Sequence, residues 1–376
     1  MKLLNLLLLL LICLSCTHSK QPTGDEVLKQ ISVDLDNPQN ASLLDYFQNI
    51  ELIPLETSDD VLIGRLTELI YHQNNYYFLD AQQFIVYTFD ENGKFMSKIA
   101  KRGQGPADYT GIDKMIINPF TGFIDLLNGF GSVYSYDLAG NHIKTIQVTD
   151  EDLRAIHGFV ALNENRYVLY SMFHSYKIIR YDTKEMKIIR NEYEESAFAQ
   201  RFPNYTPFYE YQGKWYFYRF FDNITYEIGS DSLIQSYSWD FGKHNYDVNK
   251  MTFSQEDYKD IYKLIEAARN FPYWIVIQGQ NSQYILAQIY LQNEVPANLM
   301  FDKSTQACKF IKHFDESLEF RPFLVSDDYV LSYCTQDELE KYISKELLDD
   351  TNRKKFEDLM NAKEEKNPII IKYHFK

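Results

Sequence analysis

Short runs of alternating apolar and polar residues follow one another along most of the chain, and they come in a repeating order. Between Leu66 and Ala100 the runs are LTELIYHQ, NYYFLD, FIVYTFD and KFMSKIA, with Glu91-Asn92-Gly93 separating the last two. A period of two over this length, bounded by polar turns, predicts strands. The series recurs as IDKMIINP, GFIDLLN, SVYSYDL and HIKTIQV, with Gly140 in the equivalent turn. Glycine there permits the left-handed backbone that closes a tight hairpin. Further units run over about 158–191, 208–241 and 273–314, and a last one contains RPFLVSDD, YVLSYC and IIIKYHFK. Asp90, Asp137, Asp182, Glu227 and Asp302 close the third run of five units at steps of 47, 45, 45 and 75 residues. The longest step falls to about 45 once a helical insert of about 30 residues is removed, and strands repeating at this period predict propeller blades.

The last unit lacks an outer strand. ELIPLET (Glu51 to Thr57) is the natural donor, because an N-terminal strand that completes the final blade removes an exposed edge. The fold class is therefore all-β: a six-bladed β-propeller of four-stranded antiparallel blades, closed by an N-terminal strand and carrying helical inserts. One insert lies near 254–270, with Ser254 as cap and Asp257 at the capping-box position. Its apolar face would be Tyr258, Ile261, Tyr262 and Ile265. The other, near 335–366, reads as two helices, the first lined by Leu339, Tyr342, Ile343 and Leu347 and the second by Phe356, Leu359 and Met360.

Composition narrows the function. A net charge of −15 and the lack of a basic stripe argue against nucleic-acid binding. The 16% aromatic content suits packing between sheets. At the N-terminus, Lys2 and the apolar run Leu3 to Ile12, broken only by Asn5, predict an export signal too short to span a bilayer. CLSC followed by THSKQPTG looks like a bacterial lipoprotein signal in which Cys16 is lipidated, with simple secretion as the alternative. The division that follows is a signal at 1–16, a tether and lead-in at 17–50, and the propeller at 51–376. Membrane contact is then through the lipid anchor only. Cys308 and Cys334 fall in different blades, which predicts two separate thiols.

With these features the chain resembles the six-bladed β-propeller lipoproteins of Bacteroidetes, which are related in blade architecture to NHL-type propellers. The residues that carry the resemblance are the leader, IPLET (Ile53 to Thr57), KRGQGPADY (Lys101 to Tyr109) and the insert followed by NPIIIKYHFK (Asn367 to Lys376). KRGQGPADY is similar to an Arg-Gly-x-Gly-Pro-Gly-Glu-Tyr stretch of that family, with Ala107 and Asp108 in place of Gly and Glu. The resemblance spans essentially the whole chain. It implies the fold and an envelope location, taken as the outer membrane with the periplasmic side favoured over the cell surface. It implies no catalytic residues.

No HExxH, GxSxG, GxxxxGK[ST] or EF-hand pattern occurs, so no cofactor, metal or catalytic residue is assigned. The glycines of RGQGP, with Pro106 among them, read as a locked turn rather than a phosphate cradle. One regularity goes further. Each connector into a blade's innermost strand carries an arginine: Arg65, Arg102, Arg154, Arg201, Arg269 and Arg321. All these connectors emerge on one face of a propeller, together with both inserts. Guanidinium groups take carboxylates and sulfates through planar paired hydrogen bonds. Tyr109, Tyr205, Tyr209 and Trp274 could add flat surfaces for sugar rings. The sequence thus points to a binding face for an anionic glycan or peptide. The bland alternative is arginines that satisfy local carbonyls and acids such as Asp108, Asp152 or Glu319. A lyase or hydrolase with its site in the axial channel mouth, and a structural partner of another envelope protein, are the competing functions. Convergent acids and bases in the channel would mark the enzyme, and a large apolar patch would mark the structural partner.

Overall fold

Six antiparallel sheets succeed one another around a central axis in the computed structural model. It describes residues 29–148, 153, 155–172, 174–202, 207–248, 254, 257, 260–268, 271, 273–291, 296–314, 318–362 and 366–376. The first two strands, β1 (Lys29–Ser32) and β2 (Phe47–Pro54), join sheets built by later segments. Blade one is β3 (Leu66–His72), β4 (Asn75–Asp80), β5 (Ile85–Asp90) and β6 (Phe95–Ile99). Blade two is β7 (Lys114–Ile117), β8 (Ile124–Leu127), β9 (Ser132–Tyr136) and β10 (His142–Gln147). Blade three comprises β11 (Ile156–Asn163), β12 (Arg166–Ser171), β13 (Tyr176–Asp182) and β14 (Lys187–Glu194). In blade four the strands are β15 (Phe208–Tyr211), β16 (Lys214–Phe217), β17 (Ile224–Ile228) and β18 (Leu233–Asp240). Blade five has β19 (Tyr273–Gln280), β20 (Tyr284–Leu291), β21 (Ala297–Asp302) and β22 (Ala307–Ile311). Blade six has β23 (Leu324–Val325), β24 (Tyr329–Cys334) and β25 (Ile369–Phe375), with β2 as its fourth strand. Contacts of β3 with β7, β7 with β11, β15 with β19 and β19 with β23 place the first strand of each blade nearest the axis.

The expected closure is present but shifted toward the N-terminus of ELIPLET: β2 begins at Phe47 and stops at Pro54, so Leu55, Glu56 and Thr57 lie beyond it. Ile50 pairs with Tyr373, Leu52 with Ile371 and Pro54 with Ile369, with all of these apolar residues except Pro54 buried. The outer edge of β2 does not meet water unprotected. Helix α2 (Asp350–Asn361; α1 is Ile261–Ala268) lies against it: Asn352 Oδ1 accepts from the Leu52 N–H at 2.9 Å, and Lys355 Nζ donates to the Leu52 carbonyl at 2.9 Å. A covered edge cannot template pairing with another chain.

The recurring acids have a local cause. Each ends or nearly ends the third strand of its blade, and four of them cap the turn that follows. Asp90 Oδ1 accepts from the Asn92 and Lys94 amides, Asp137 Oδ1 from Ala139 and Asn141, Asp182 Oδ1 from Lys184 and Glu185, and Asp302 Oδ1 from Ser304 and Thr305. Aspartate suits this role because its short side chain reaches amides two residues on. Glu227, one carbon longer, instead accepts from Lys214 Nζ at 2.9 Å. In blade one the turn does a second task. The Gly93 carbonyl accepts from the Glu56 N–H at 2.8 Å, and a Cβ at Gly93, whose φ is +82°, would lie 2.4 Å from the Pro54 carbonyl oxygen. Gly93→Ala is therefore expected to cost about 1–3 kcal/mol through strain alone, read as a lowered urea midpoint. A midpoint equal to wild type would show that the junction between blade one and β2 has slack.

Three expectations change. The 17–50 segment is more than a tether from Lys29 onward. Strand β1 adds a fifth strand to blade four, parallel to β18, from Lys29 opposite Tyr237 to Ser32 opposite Asp240. Ile31 and Val33 are buried there with Trp239 and Phe241. The chain then crosses blade five, where Gln39 N donates to the Phe310 carbonyl at 2.7 Å, before entering β2 at Phe47. In the first insert, Ser254 and Asp257 do form the reciprocal cap. The buried face of α1 is nevertheless Leu264 and Ala268, with Tyr262 80% exposed. Tyr258 lies outside the described residues. In the second insert the first predicted helix is two short 3-10 turns, Gln336–Lys341 and Lys345–Leu347, separated by Ser344 in an extended conformation. Leu339, Tyr342, Ile343 and Leu347 are buried as the pattern required, but tertiary packing sets their backbone. The second predicted helix is α2. Asp349 caps it by accepting from the Asn352 N–H at 2.7 Å, and Phe356 and Leu359 are buried while Met360 is exposed.

Cys308 on β22 and Cys334 on β24 are free thiols, and burial pushes both up to about 12. No helix among the described residues is long and apolar enough to cross a membrane.

Candidate functional site

Antiparallel alternation fixes which loops share a face. Connectors from one blade's last strand to the next blade's first strand emerge together, along with the loops between second and third strands. The α1 insert lies in the connector between β18 and β19, and the α2 insert between β24 and β25. Both helices and the connectors that carry Arg65, Arg102, Arg201 and Arg321 therefore occupy one face around the axis.

Two of the predicted arginines influence one buried hydroxyl there. Arg65 and Arg321 both act on the Tyr333 hydroxyl, which burial raises; Glu68 raises it too, and the two guanidinium groups oppose the shift. Tyr333 Oη donates to the Leu66 carbonyl at 3.4 Å. Beside it, Glu68 of β3 forms an ion pair with Lys114 of β7, linking blades one and two at the channel wall. Burial holds the Glu68 carboxyl above its usual range even with that ammonium in contact. His157 on β11 continues the arc. Burial lowers its imidazole from the ordinary 6.5, Asp113 opposes this, and Lys114 reinforces it. Blades six, one, two and three thus contribute titratable groups to one arc of the mouth. No group of three or more His, Cys, Asp or Glu among the described residues is placed to hold a metal ion.

The remaining predicted residues divide. Arg321 is bonded to Glu319 at 2.6 Å and lies over the Tyr342 ring, so it already has a carboxylate partner. Arg102 is exposed, with its guanidinium 4.9 Å from the centre of the Phe84 ring. Arg201 is exposed at the end of a 3-10 turn, Ala199–Arg201. Arg65, Arg102 and Arg201 form no ion pair with a carboxylate among the described residues. Tyr109 is a correction: it is 0% exposed and offers no ring to a ligand. Its hydroxyl lies 2.7 Å from the Phe84 carbonyl and accepts from the Lys101 N–H at 3.0 Å, so it anchors the connector that carries Arg102. Asp108 Oδ2 accepts from the Gly105 N–H at 2.9 Å, and a Cβ at Gly103 would lie 2.3 Å from that oxygen. The RGQGPAD stretch is therefore a locked turn.

Tyr209 stacks on Tyr216 at 5.0 Å, bonds Tyr237 through its hydroxyl at 2.9 Å and accepts from Gln280 Nε2 of β19 at 3.3 Å, which places it in packing between blades four and five. Trp274 donates to the Ala268 carbonyl at 3.3 Å and meets Phe202 and Phe221 edge-on, packing under α1. Arg154, Tyr205, Arg269 and Cys16 lie outside the described residues.

A buried charge network supports part of this face and was not anticipated. Arg219, 1% exposed at the end of blade four's second strand, donates from Nε to Glu195 Oε1 at 2.6 Å. Its Nη2 donates to the Ala199 and Phe202 carbonyls at 3.2 Å, holding the turn that carries Arg201. Lys177 Nζ lies 4.0 Å from Glu195 Oε2 and donates to the Met172 and His174 carbonyls at 2.7 Å. Burial raises the Glu195 carboxyl, and Arg219 and Lys177 oppose it. Asp222 nearby accepts from the Tyr193 hydroxyl at 2.7 Å and from the Ile224 N–H at 2.9 Å. The available signal was an arginine inside the aromatic run WYFYRFFD (Trp215 to Asp222).

Comparison with known proteins agrees with this architecture. The sequence profile of a domain of unknown function, DUF4934, matches residues 28–374. A candidate exported protein of Bacteroides fragilis has a similar structure at 16% identity and a TM-score of 0.71, over 93% of this chain and 100% of that one. A member of the DUF4221 family from Bacteroides vulgatus is similar at 11% identity and a TM-score of 0.54, over 88% and 98%. No curated protein sequence matches the chain.

Proposed function

The chain belongs to the DUF4934 family, and on that premise we propose that it is an exported, lipid-anchored envelope protein whose insert-bearing face binds an anionic glycan. One observation carries the reading. In a protein of net charge −15, Arg65, Arg102 and Arg201 are exposed on one face without a carboxylate partner among the described residues. Unpaired guanidinium groups spread around a mouth suit a polymer that repeats carboxylates or sulfates along its length. An acidic peptide would be expected to add side-chain anchors in pockets. The depression beside Arg321 holds only about 10 Å³, too little for such an anchor. The leader with Cys16, and the likeness to a candidate exported protein, support attachment at the outer membrane facing the periplasm. An envelope protein that delivers or accepts the glycan would be its partner.

Titration calorimetry with a uronate hexasaccharide, a heparin hexasaccharide, a neutral hexasaccharide and an oligoglutamate tests the proposal. Wild type is expected to bind an acidic saccharide with an affinity that falls as salt rises. The double variant Arg102→Ala/Arg201→Ala is expected to bind at least about tenfold more weakly, since a charge-assisted contact is worth roughly 1.5–3 kcal/mol. Unchanged binding in the double variant, or preference for oligoglutamate, overturns it. A second reading, chemistry in the channel mouth, is favoured by the Glu68–Lys114 pair and the neighbouring His157. Chromatography of the recovered saccharide separates the two: intact chains belong to a binding protein and shortened chains to an enzyme.

A further inference from the structure

The face opposite the arginine connectors carries an open, shallow groove of about 550 Å³ between blades two and three. It is framed by the turn between β7 and β8, the turn between β11 and β12, and the turn between β13 and β14. One wall is the ring of Phe120, 49% exposed at the tip of its turn. An exposed phenyl at a loop tip is ordinarily mobile, but this one stands on a rigid base. The Phe120 N–H donates to Asn118 Oδ1 at 3.0 Å. Asn118 Nδ2 in turn donates to Asp125 Oδ2 at 2.8 Å and lies 3.1 Å from the Tyr167 hydroxyl, all fully or nearly fully buried. Tyr167 and Ser135 also donate to Asp125, at 2.7 and 2.5 Å. A satisfied buried network of this kind fixes the turn above it.

The opposite wall is equally constrained. Asn163 Oδ1 accepts from the Asn165 N–H at 2.9 Å, the Asn165 carbonyl accepts from Thr183 N–H at 2.8 Å, and Arg166 Nε lies 3.4 Å from Asp182. These bonds use the Asn163 and Asp182 side chains, backbone groups and one edge of the guanidinium. The Asn165 amide and the Glu164 carboxylate form no hydrogen bond from their side chains among the described residues. Charges of both signs line the groove, with Glu164, Asp182 and Glu185 set against Arg166 and Lys184. The site therefore has little field to attract a polyanion or a polycation. Only one lining side chain is apolar, which disfavours a peptide that docks through apolar anchors. A pre-set aromatic face beside planar amide, carboxylate and guanidinium groups is complementary to a molecule with an apolar C–H face and pairs of hydroxyls.

We propose that this groove binds a neutral saccharide, with one sugar ring lying on Phe120 and neighbouring hydroxyl pairs held by Glu164, Asn165 and Arg166. The site is separate from the connector face and does not depend on the reading of that face. Calorimetric titration of the full protein with neutral hexasaccharides of glucose, mannose and xylose tests it. At least one is expected to bind saturably. Phe120→Ala should weaken that binding at least about tenfold, Phe120→Trp should keep it, and Asn165→Ala should weaken it without lowering the thermal midpoint. Arg102→Ala/Arg201→Ala should leave it unchanged. The inference is overturned if none of the three saccharides binds, if Phe120→Ala binds like wild type, or if the arginine double variant abolishes neutral-sugar binding, which would place the site on the other face.

Discussion

Replacing Arg219 with alanine is expected to cost about 3–5 kcal/mol of folding stability, the typical loss when one partner of a buried ion pair is removed. Glu195 would remain 3% exposed in its side chain, with its carboxylate facing only Lys177 at 4.0 Å. The Ala199 and Phe202 carbonyls would lose their common donor as well. Urea denaturation should show the midpoint falling steeply with little change in slope. Lys177→Met, Glu195→Leu and Arg219→Met combined should be milder than Arg219→Ala alone, because removing all three charges leaves none buried without a partner. A single Arg219→Ala variant within about 1 kcal/mol of wild type would mean that water reaches this network and that it is not a buried pair.

The same substitution links stability to the connector face. Arg219 holds both ends of the 3-10 turn that presents Arg201, so its loss should loosen that arginine as well as weaken the fold. Anionic-ligand affinity should then fall in Arg219→Ala below what the unfolded fraction explains, while neutral-sugar binding at Phe120 should hold once corrected for that fraction. Arg219 is a positioning residue in this scheme. Equal proportional loss at both faces would mean that the effect is stability alone.

What could be read from the sequence follows from how local each signal is. Asp90, Asp137, Asp182 and Asp302 declare the blade period because each caps a turn two residues away, an interaction written within a few positions. Arg65, Arg102, Arg201 and Arg321 could be assigned to connectors for the same reason, since that place depends only on strand alternation. Their partners could not all be read. Arg321 meets Glu319, two residues off, but Arg65 and Arg321 come to act on the one Tyr333 hydroxyl only because blade six closes against blade one. Tyr109 looked like a surface ring beside a glycine turn. It is buried because the turn folds back onto the Phe84 and Ile99 carbonyls, a contact spanning 25 and 10 residues. In the first insert a charged helix of eight residues has too few turns to fix its phase from pattern alone, and packing against Phe198, Phe221 and Phe271 chose Leu264 and Ala268 over Tyr262. Strand β1 was missed because four residues give almost no periodicity, and its parallel pairing with β18 spans some two hundred positions.

Closure supplies the second large effect. Removing everything before Leu66 takes β2 from blade six and leaves β25 with an unpaired edge whose Ile369, Ile371 and Tyr373 are otherwise buried. That variant is expected to yield aggregate instead of a folded monomer, since an open apolar edge templates intermolecular pairing. Within the intact chain, Leu52→Ala alone should cost about 2–5 kcal/mol, as a fully buried leucine does. Truncation by itself cannot separate a missing strand from a missing covalent start, but a circular permutant can. The Lys376 N–H donates to the Tyr46 carbonyl at 3.1 Å, so a turn of a few residues can join these positions while the chain opens before Leu66. This variant restores β2 as an ordinary hairpin partner of β25 and lacks only residues 1–45. It should be monomeric, with the wild-type β spectrum and a urea midpoint lowered by the loss of Ile31 and Val33 from blade four. If the truncated protein stays monomeric at the wild-type midpoint, β2 does not hold the ring shut. If the permutant aggregates as the truncation does, the strap across blades four and five, and not the fourth strand of blade six, is what closes the molecule.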